Sequence, residues 1–263
     1  MMGHRPRKRF GQHFLTDAAV IERIVRGLSP RPGQHLVEIG PGRGALTRHL
    51  IRTCACLDVI ELDRDLIPEL ERLAESWDGL RIHQGDALGF DLHTLGREGA
   101  PLRLVGNLPY NISTPLMFHL LKFSGLIGDM HFMLQKEVVQ RMAARAGDSA
   151  YGRLSVMIQY RCRVEELFQI PPQAFTPPPQ VDSALVRLTP HAILPHVARD
   201  EANFASLVRQ AFSLRRKTLR NALKGMADPG LIAAAGIDPG SRPETLSVEE
   251  FVRLSNLLSA TPP

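Results

Sequence analysis

Residues 36–50 read LVEIGPGRGALTRHL. Residues 36–39 are apolar except for Glu38 and predict a short buried strand. Gly40, Gly42 and Gly44 then interrupt it, and residues 45–53 carry a helical pattern. A strand, a glycine-rich turn and a helix in that order begin an open α/β sheet, because glycines let the chain turn tightly and let a ligand approach the backbone. Outward from this stretch, further strands are predicted at 57–62, 80–83, 102–105 and 130–134. Helices fall between them at 65–76, with Pro68 in its first turn, at 114–123 and at 137–144. On the N-terminal side, Thr16 or Asp17 can cap a helix to about Leu28, with Val20, Ile21, Ile24 and Val25 as its stripe.

Alternating strands and helices imply a mostly parallel sheet covered on both faces. Two later strands, 154–160 and 181–188, have no clear helix between them and are expected as an antiparallel hairpin at one edge. Composition changes near residues 190–195. Beyond it, helices are predicted at 203–223, at 229–235 behind Asp228, and at 248–259, where Ser247 and Glu250 have capping-box spacing. The expected architecture is α/β, a Rossmann-like sheet over residues 1–190, including a basic arm at 1–12, followed by a small all-helical domain at 191–263.

The 263 residues are 44% hydrophobic, enough to bury a core. No apolar run approaches the roughly 20 residues of a membrane span, and the basic N-terminus lacks the apolar stretch of a signal peptide, so a cytoplasmic protein without a membrane partner is expected. Cys54, Cys56 and Cys162 give no disulfide framework. Cys54-x-Cys56 has no histidines at zinc spacing and reads as small buried residues, so no metal is expected. The net charge is +5. It gathers in Arg5, Arg7, Lys8 and Arg9, and again in Arg209, Arg215, Arg216, Lys217 and Arg220 on the helix expected at 203–223, with Lys224 just past its end. Either group alone fits a solvated surface; two groups flanking one α/β domain point to phosphate binding.

Glu61 ends the second predicted strand, 21 residues after Gly40, where a carboxylate can accept both hydroxyls of a ribose. Gly40-x-Gly42-x-x-Ala45 also satisfies a dinucleotide fingerprint, which keeps a nicotinamide dehydrogenase open at this point. The pattern Glu38-x-Gly40-x-Gly42-x-Gly44 is more typical of methyltransferases, and Asp86, in GDAL at 85–88, stands where it can accept from an adenine amine. Capping a turn is its other reading. Arg43 suits an RNA contact and a plain surface residue equally.

Asn107-Leu108-Pro109-Tyr110 follows the fourth predicted strand. An adenine amino nitrogen is a poor nucleophile because its lone pair is delocalised into the ring. Two acceptors on its N–H groups, the Asn107 side-chain oxygen and the Leu108 carbonyl, favour a tetrahedral nitrogen. Pro109 stiffens the turn and removes a competing N–H, and Tyr110 offers a face for stacking.

Taken together, RKRFGQHFL at 7–15, VEIGPGRG at 37–44, VIELD at 59–63, GDAL at 85–88, VGNLPYNIS at 105–113, FTPPPQVDS at 175–183 and AFSLRRKTLRNAL at 211–223 resemble the ribosomal RNA adenine N6,N6-dimethyltransferase family over essentially the full length, in its bacterial small-subunit type. The resemblance implies a class I methyltransferase sheet and S-adenosyl-L-methionine as cofactor, leaving S-adenosyl-L-homocysteine. It places cofactor contacts on His13, Leu15, Gly40, Gly42, Glu61, Asp86 and Asn107. It makes Asn107, Leu108, Pro109 and Tyr110 the catalytic segment, with Phe175 as the other aromatic wall of the base pocket. Arg7, Lys8, Arg9, Arg215, Arg216, Lys217 and Arg220 would contact RNA. The implied substrate is 16S rRNA in a partly assembled 30S subunit, where two adjacent adenosines of a hairpin loop near the 3′ end each receive two methyls, and the enzyme is expected to be monomeric. His13 departs from the asparagine usual at that position. Two other readings use the same scaffold: a non-catalytic 30S assembly factor, and a large-subunit rRNA adenine methyltransferase. The residues at 211–223 favour the small-subunit type.

Overall fold

The computed structural model describes residues 12–54, 56–96, 100–214 and 216–259. The basic arm, including Arg7, Lys8 and Arg9, and Arg215 lie outside the described residues. The chain forms two compact units, one of residues 1–139 and 165–190, the other of residues 140–164 and 191–263. The boundary drawn at residue 190 is therefore too simple: residues 140–164, assigned from sequence to the first domain, cluster with the second unit.

In the first unit a seven-stranded sheet has the order β4-β3-β2-β5-β6-β9-β7. Its strands are β2 (His35–Ile39), β3 (Cys56–Glu61), β4 (Leu80–Gln84), β5 (Leu102–Asn107), β6 (Ile127–Gln135), β7 (Cys162–Ile170) and β9 (Ser183–Pro190). Neighbours from β4 to β6 are parallel, and β9 runs antiparallel to β6. Every residue of β2 and β3 is buried, as expected for central strands covered on both faces. A separate two-stranded ribbon joins β1 (Phe14–Leu15) to β8 (Phe175–Thr176), pairing Leu15 with Phe175. Helix α1 (Ala18–Leu28) begins at Asp17, whose carboxylate accepts from the Val20 amide at 3.0 Å. Helices α2 (Thr47–Leu50), α3 (Ile67–Ala74) and α4 (Ser113–Leu120) follow β2, β3 and β5.

Helix α2 is shorter than the 45–53 pattern suggested. Gly44 has φ +74°, and both the Thr53 hydroxyl and the Cys54 thiol donate to the Leu50 carbonyl. Such local bonds compete with further helical turns.

Residues 154–160, expected as a strand, are instead inside helix α6 (Arg153–Arg161), which follows α5 (Lys136–Ala143). Val156, Ile158 and Tyr160 are all buried in it, and a helix buried on most sides shows no 3.6-residue stripe. Its start is fixed by Ser155, whose hydroxyl accepts from the Gly152 amide at 3.0 Å and donates to the Arg141 carbonyl at 2.5 Å. The edge strand is β7, and it carries Arg163, Glu165, Glu166 and Gln169. Charges on an exposed edge discourage pairing with other chains, and they also hide the strand from a reading based on apolar alternation.

The second unit also contains α7 (Glu201–Ala211), α8 (Leu219–Ala222), α9 (Pro229–Ala234) and α10 (Val248–Leu258), around a core that includes Phe204, Leu207, Ile232, Phe251 and Leu254. Asp228 caps α9, and Ser247 with Glu250 caps α10, as their spacing predicts. The helix expected over 203–223 is broken: Gln210 donates to the Ala222 carbonyl at 3.0 Å, so α8 folds back on α7. Arg216 and Lys217 consequently sit exposed on a turn, and Arg220 is exposed on α8.

Candidate active site

The carboxyl ends of the parallel strands surround a cavity of about 370 Å³, the place where open α/β sheets bind ligands. His13, Leu15, Gly40, Gly42, Glu61, Asp86, Asn107, Leu108, Pro109 and Tyr110 all line it.

The glycine loop bounds one side. Gly40, Gly42 and Gly44 have φ of +68°, +59° and +74°, values that L side chains rarely adopt. A Cβ on Gly42 would also stand 3.1 Å from the Phe14 ring. Glu61 lies behind the loop. Its carboxylate accepts from the Gly42 amide at 3.1 Å and from the Asp63 amide at 2.8 Å, so its orientation is fixed and lone pairs remain for hydroxyl donors. Burial raises its pKa against these two bonds. Asp63 in turn accepts from Gln12 at 3.1 Å, which ties the start of the described chain to this rim. Asp86 lines the cavity, and its carboxylate accepts from the Leu88 amide at 2.9 Å, the turn-capping bond open to it from sequence. Arg43 is exposed, with its guanidinium carbon 5.1 Å from the centre of the Phe14 ring.

Beneath the loop, Glu38 is 2% exposed. Burial pushes its pKa up to about 7, against the bond it accepts from the Thr47 hydroxyl at 2.6 Å and with the repulsion of Glu61 adding to the rise.

The opposite side is the 107–110 segment. Asn107 Nδ2 donates to the His13 carbonyl at 2.7 Å. A carbonyl can only accept, so the bond settles which end of the amide faces His13 and leaves Oδ1 as the acceptor end. The Leu108 amide donates to the Met133 carbonyl at 3.3 Å, which anchors the segment to β6. Tyr110 is half-buried, and its hydroxyl shares a 2.7 Å hydrogen bond with Ser183, which is wholly buried at the start of β9. Burial raises the tyrosine pKa despite that bond, so the ring is a neutral phenol.

His13 belongs to this side too. Its Nδ1 lies 2.7 Å from the Pro177 carbonyl and must donate to it. Its ring stacks beside Tyr110, with centroids 5.7 Å apart and planes at 27°. Phe175 is elsewhere. It is 2% exposed, packed with Leu15, Ile170, Ala174 and Leu185, and does not line the cavity. Its pairing with Leu15 turns the ring into the core, and Thr176, next along β8, reaches the cavity. The aromatic neighbour of Tyr110 among the described residues is His13.

Phe14, Thr176 and Ser183 carry parts of the site that the sequence reading did not assign. Each lies inside a quoted motif, but a role in a two-residue ribbon, or under another residue's ring, is set by pairing that spacing does not express.

A glycine-loop cavity at the switch of a mostly parallel sheet, lined by a buried carboxylate and by the 107–110 segment, defines a Rossmann-like methyltransferase. Residues 3–260 match the family described as ribosomal RNA adenine dimethylase, and the chain belongs to it. It is 59% identical to a ribosomal RNA small subunit methyltransferase A of Chromohalobacter salexigens over 99% of this chain and 94% of that one. It is 57% identical to the protein of the same description from Pseudomonas putida, over 97% and 96%. Among solved structures, a dimethyladenosine transferase from Plasmodium falciparum aligns with TM-score 0.78 at 25% identity, covering 92% of this chain and 96% of that one. The 23S rRNA methyltransferase ErmE aligns with TM-score 0.72 at 25% identity, over 94% and 99%. The chain is thus an enzyme of rRNA adenine methylation. Among the described residues no helix is long and apolar enough to cross a membrane.

Proposed function

We propose that this enzyme transfers methyl groups from S-adenosyl-L-methionine to the N6 amines of two adjacent adenosines in a hairpin loop near the 3′ end of 16S rRNA. The product would be N6,N6-dimethyladenosine, formed in the cytoplasm while the 30S subunit is assembled, by a monomer. The observation that carries this reading is the bond from Asn107 Nδ2 to the His13 carbonyl. It commits the donor end of the amide and so leaves Oδ1 as the end to accept from an incoming amine, with the Leu108 carbonyl as the second acceptor.

The donor set fits the cofactor. Positive-φ glycines allow close approach, Glu61 is held by two backbone amides with capacity to spare, and Asp86 lines the same cavity. The cofactor supplies a methyl group already activated on a sulfonium, so the protein's task is mainly to position the reactants. Asn107 and Leu108 accept the amine's N–H groups and direct its lone pair outward, while Tyr110, held by Ser183, stacks on the base. The surplus proton on the methylated nitrogen passes to water. An unpaired loop base enters such a pocket at lower cost than a stacked, paired one.

Relatives 56–59% identical over nearly their whole length are described as acting on the small subunit, and this favours 16S over 23S rRNA. Methyl transfer from labelled cofactor to 30S particles lacking the modification tests the proposal, with Asn107→Ala alongside and the nucleosides identified after digestion. Label in N6,N6-dimethyladenosine, lost in the variant, is expected. Transfer to large-subunit RNA alone would move the target; particle binding without transfer to any RNA would make the chain an assembly factor.

A further inference from the structure

Five polar side chains meet on one face of the sheet away from the cavity. His35 begins β2, Cys56 and Asp58 stand two apart on β3, and Arg81 and His83 stand two apart on β4. Residues two apart on a strand share a face. The register pairs His35 with Cys56 and Asp58 with Arg81, which brings the groups side by side. His35, Cys56 and Asp58 are buried, Asp58 completely. None of the five lines the cofactor cavity.

Arg81 Nη2 occupies the point on which the others converge. It lies 2.5 Å from Asp58 Oδ2, 3.0 Å from Cys56 Sγ and 3.2 Å from His35 Nε2. One guanidinium nitrogen carries two N–H groups, so it cannot serve three acceptors at once. His35 Nε2 is contested as well: it faces this donor and is in direct contact with Asp58 Oδ2. Its other nitrogen, Nδ1, is buried without a hydrogen-bond partner. On the far side of the carboxylate, His83 Nε2 lies 2.6 Å from Asp58 Oδ1. The ligating atoms of His35, Cys56 and Asp58 all lie within 4.8 Å of one another.

We propose that His35, Cys56 and Asp58, with water completing the shell, form a site for a divalent cation of the zinc class, and that Arg81 is the cation standing in it when no metal is bound. Imidazole, thiolate and carboxylate together suit zinc, whereas magnesium and calcium demand oxygen ligands. Zinc bonds of about 2.0–2.3 Å require the three buried donors to shift by roughly 0.5–1 Å around the position of Nη2, with His35 Nε2 and Asp58 Oδ2, which touch each other directly, moving apart to share the ion. Arg81 can leave because its side chain is 42% exposed, and His83 holds the other oxygen of Asp58 from outside the site. On binding, the Cys56 thiol loses its proton to solvent, and the thiolate and carboxylate together balance the ion's charge. The ligands come from two strands, with His35 and Asp58 23 positions apart, so no local sequence spacing announces them. A metal there would clamp β3 to β2 outside the cofactor cavity.

The test is titration of the full-length, chelator-treated protein with Co²⁺, followed by the sulfur-to-cobalt charge-transfer band in the near ultraviolet. One bound equivalent with that band, displaced by Zn²⁺, is expected. Cys54→Ala should keep the band and Cys56→Ala should lose it; Cys56→Ser, closer in size, repeats the test if the alanine variant does not fold. Arg81→Met removes the competing cation and should tighten Co²⁺ binding by about tenfold, the scale of one half-exposed ion pair. Absence of the band in both the unmodified protein and Arg81→Met would show the cluster to be an ion-pair network only. A band that survives both Cys56 substitutions would place the metal elsewhere and overturn the assignment.

Discussion

Tyr110 shows how little of a side chain's task its identity alone decides. The ring is the stacking surface, but the Ser183 hydroxyl fixes where the ring stands, and His13 closes one side of it while bonded to the Pro177 carbonyl. These contributions separate by substitution. Tyr110→Phe keeps the ring and loses one hydrogen bond, worth about 1 kcal/mol, so kcat/KM on the RNA substrate should fall about fivefold. Tyr110→Ala also loses base stacking of roughly 1–3 kcal/mol, and the fall should exceed about tenfold. Equal losses in the two variants would mean that the hydroxyl, and not the ring, is the working group. His13 bears on the same geometry through its backbone, since its carbonyl holds Asn107. Replacing its side chain therefore need not release the catalytic amide.

At the scale of elements, β2 and β5 meet so closely that one residue type alone is tolerated at their contact. A Cβ on Gly106 would fall 2.4 Å from the Ile39 carbonyl oxygen, a backbone atom that cannot turn aside. Gly106→Ala should destabilise the protein by about 2–3 kcal/mol and weaken cofactor binding, because Ile39 leads directly into the glycine loop; urea denaturation and cofactor titration measure the two effects. Glu38, in the same strand, makes stability depend on pH. Its folded pKa is raised to about 7 from 4.5, so the folded state binds the extra proton and this contribution is complete below about pH 4.5 and lost as pH rises through about 7. Glu38→Gln still accepts from Thr47 but carries no charge. Its stability relative to the unmodified protein should rise between about pH 4.5 and pH 8 by an amount on the order of 3 kcal/mol at most, read from urea midpoints. A difference that stays constant with pH would show that Glu38 is ionised throughout. The Gly40–Gly44 loop and the central strands were legible in the sequence because their signals are local: glycine spacing and continuous apolar runs. Helix α6 was not, since burial on most sides erased its stripe, and β7 was hidden by its charged edge. Phe175 shows the same limit within the site. Its motif was recognisable, but which face of a two-residue ribbon the ring takes depends on pairing with β1.

For the whole molecule, the excess of positive charge bears on how the enzyme holds RNA. Arg216 and Lys217 are exposed on the turn between α7 and α8, a conformation in which both side chains can reach phosphates without the constraint of a common helix face. If they do, each neutralised phosphate releases counterions, and the logarithm of affinity should fall with the logarithm of salt by about 0.7–0.9 per contact. The double substitution Arg216→Ala, Lys217→Ala should therefore reduce that slope by roughly 1.4–1.8 and weaken binding to all RNAs alike, since phosphate contacts carry no base information. At saturating RNA, kcat should be little changed, because neither residue belongs to the cavity at the sheet. Asn107→Ala should do the opposite, leaving the salt slope intact and removing turnover. Binding isotherms over a range of salt, set beside single-turnover rates, distinguish the two variants. An unchanged slope in the double variant would place this turn off the path of the RNA and leave the contacts to other basic residues; a loss of kcat at saturating RNA would mean that the turn also helps to present the target base.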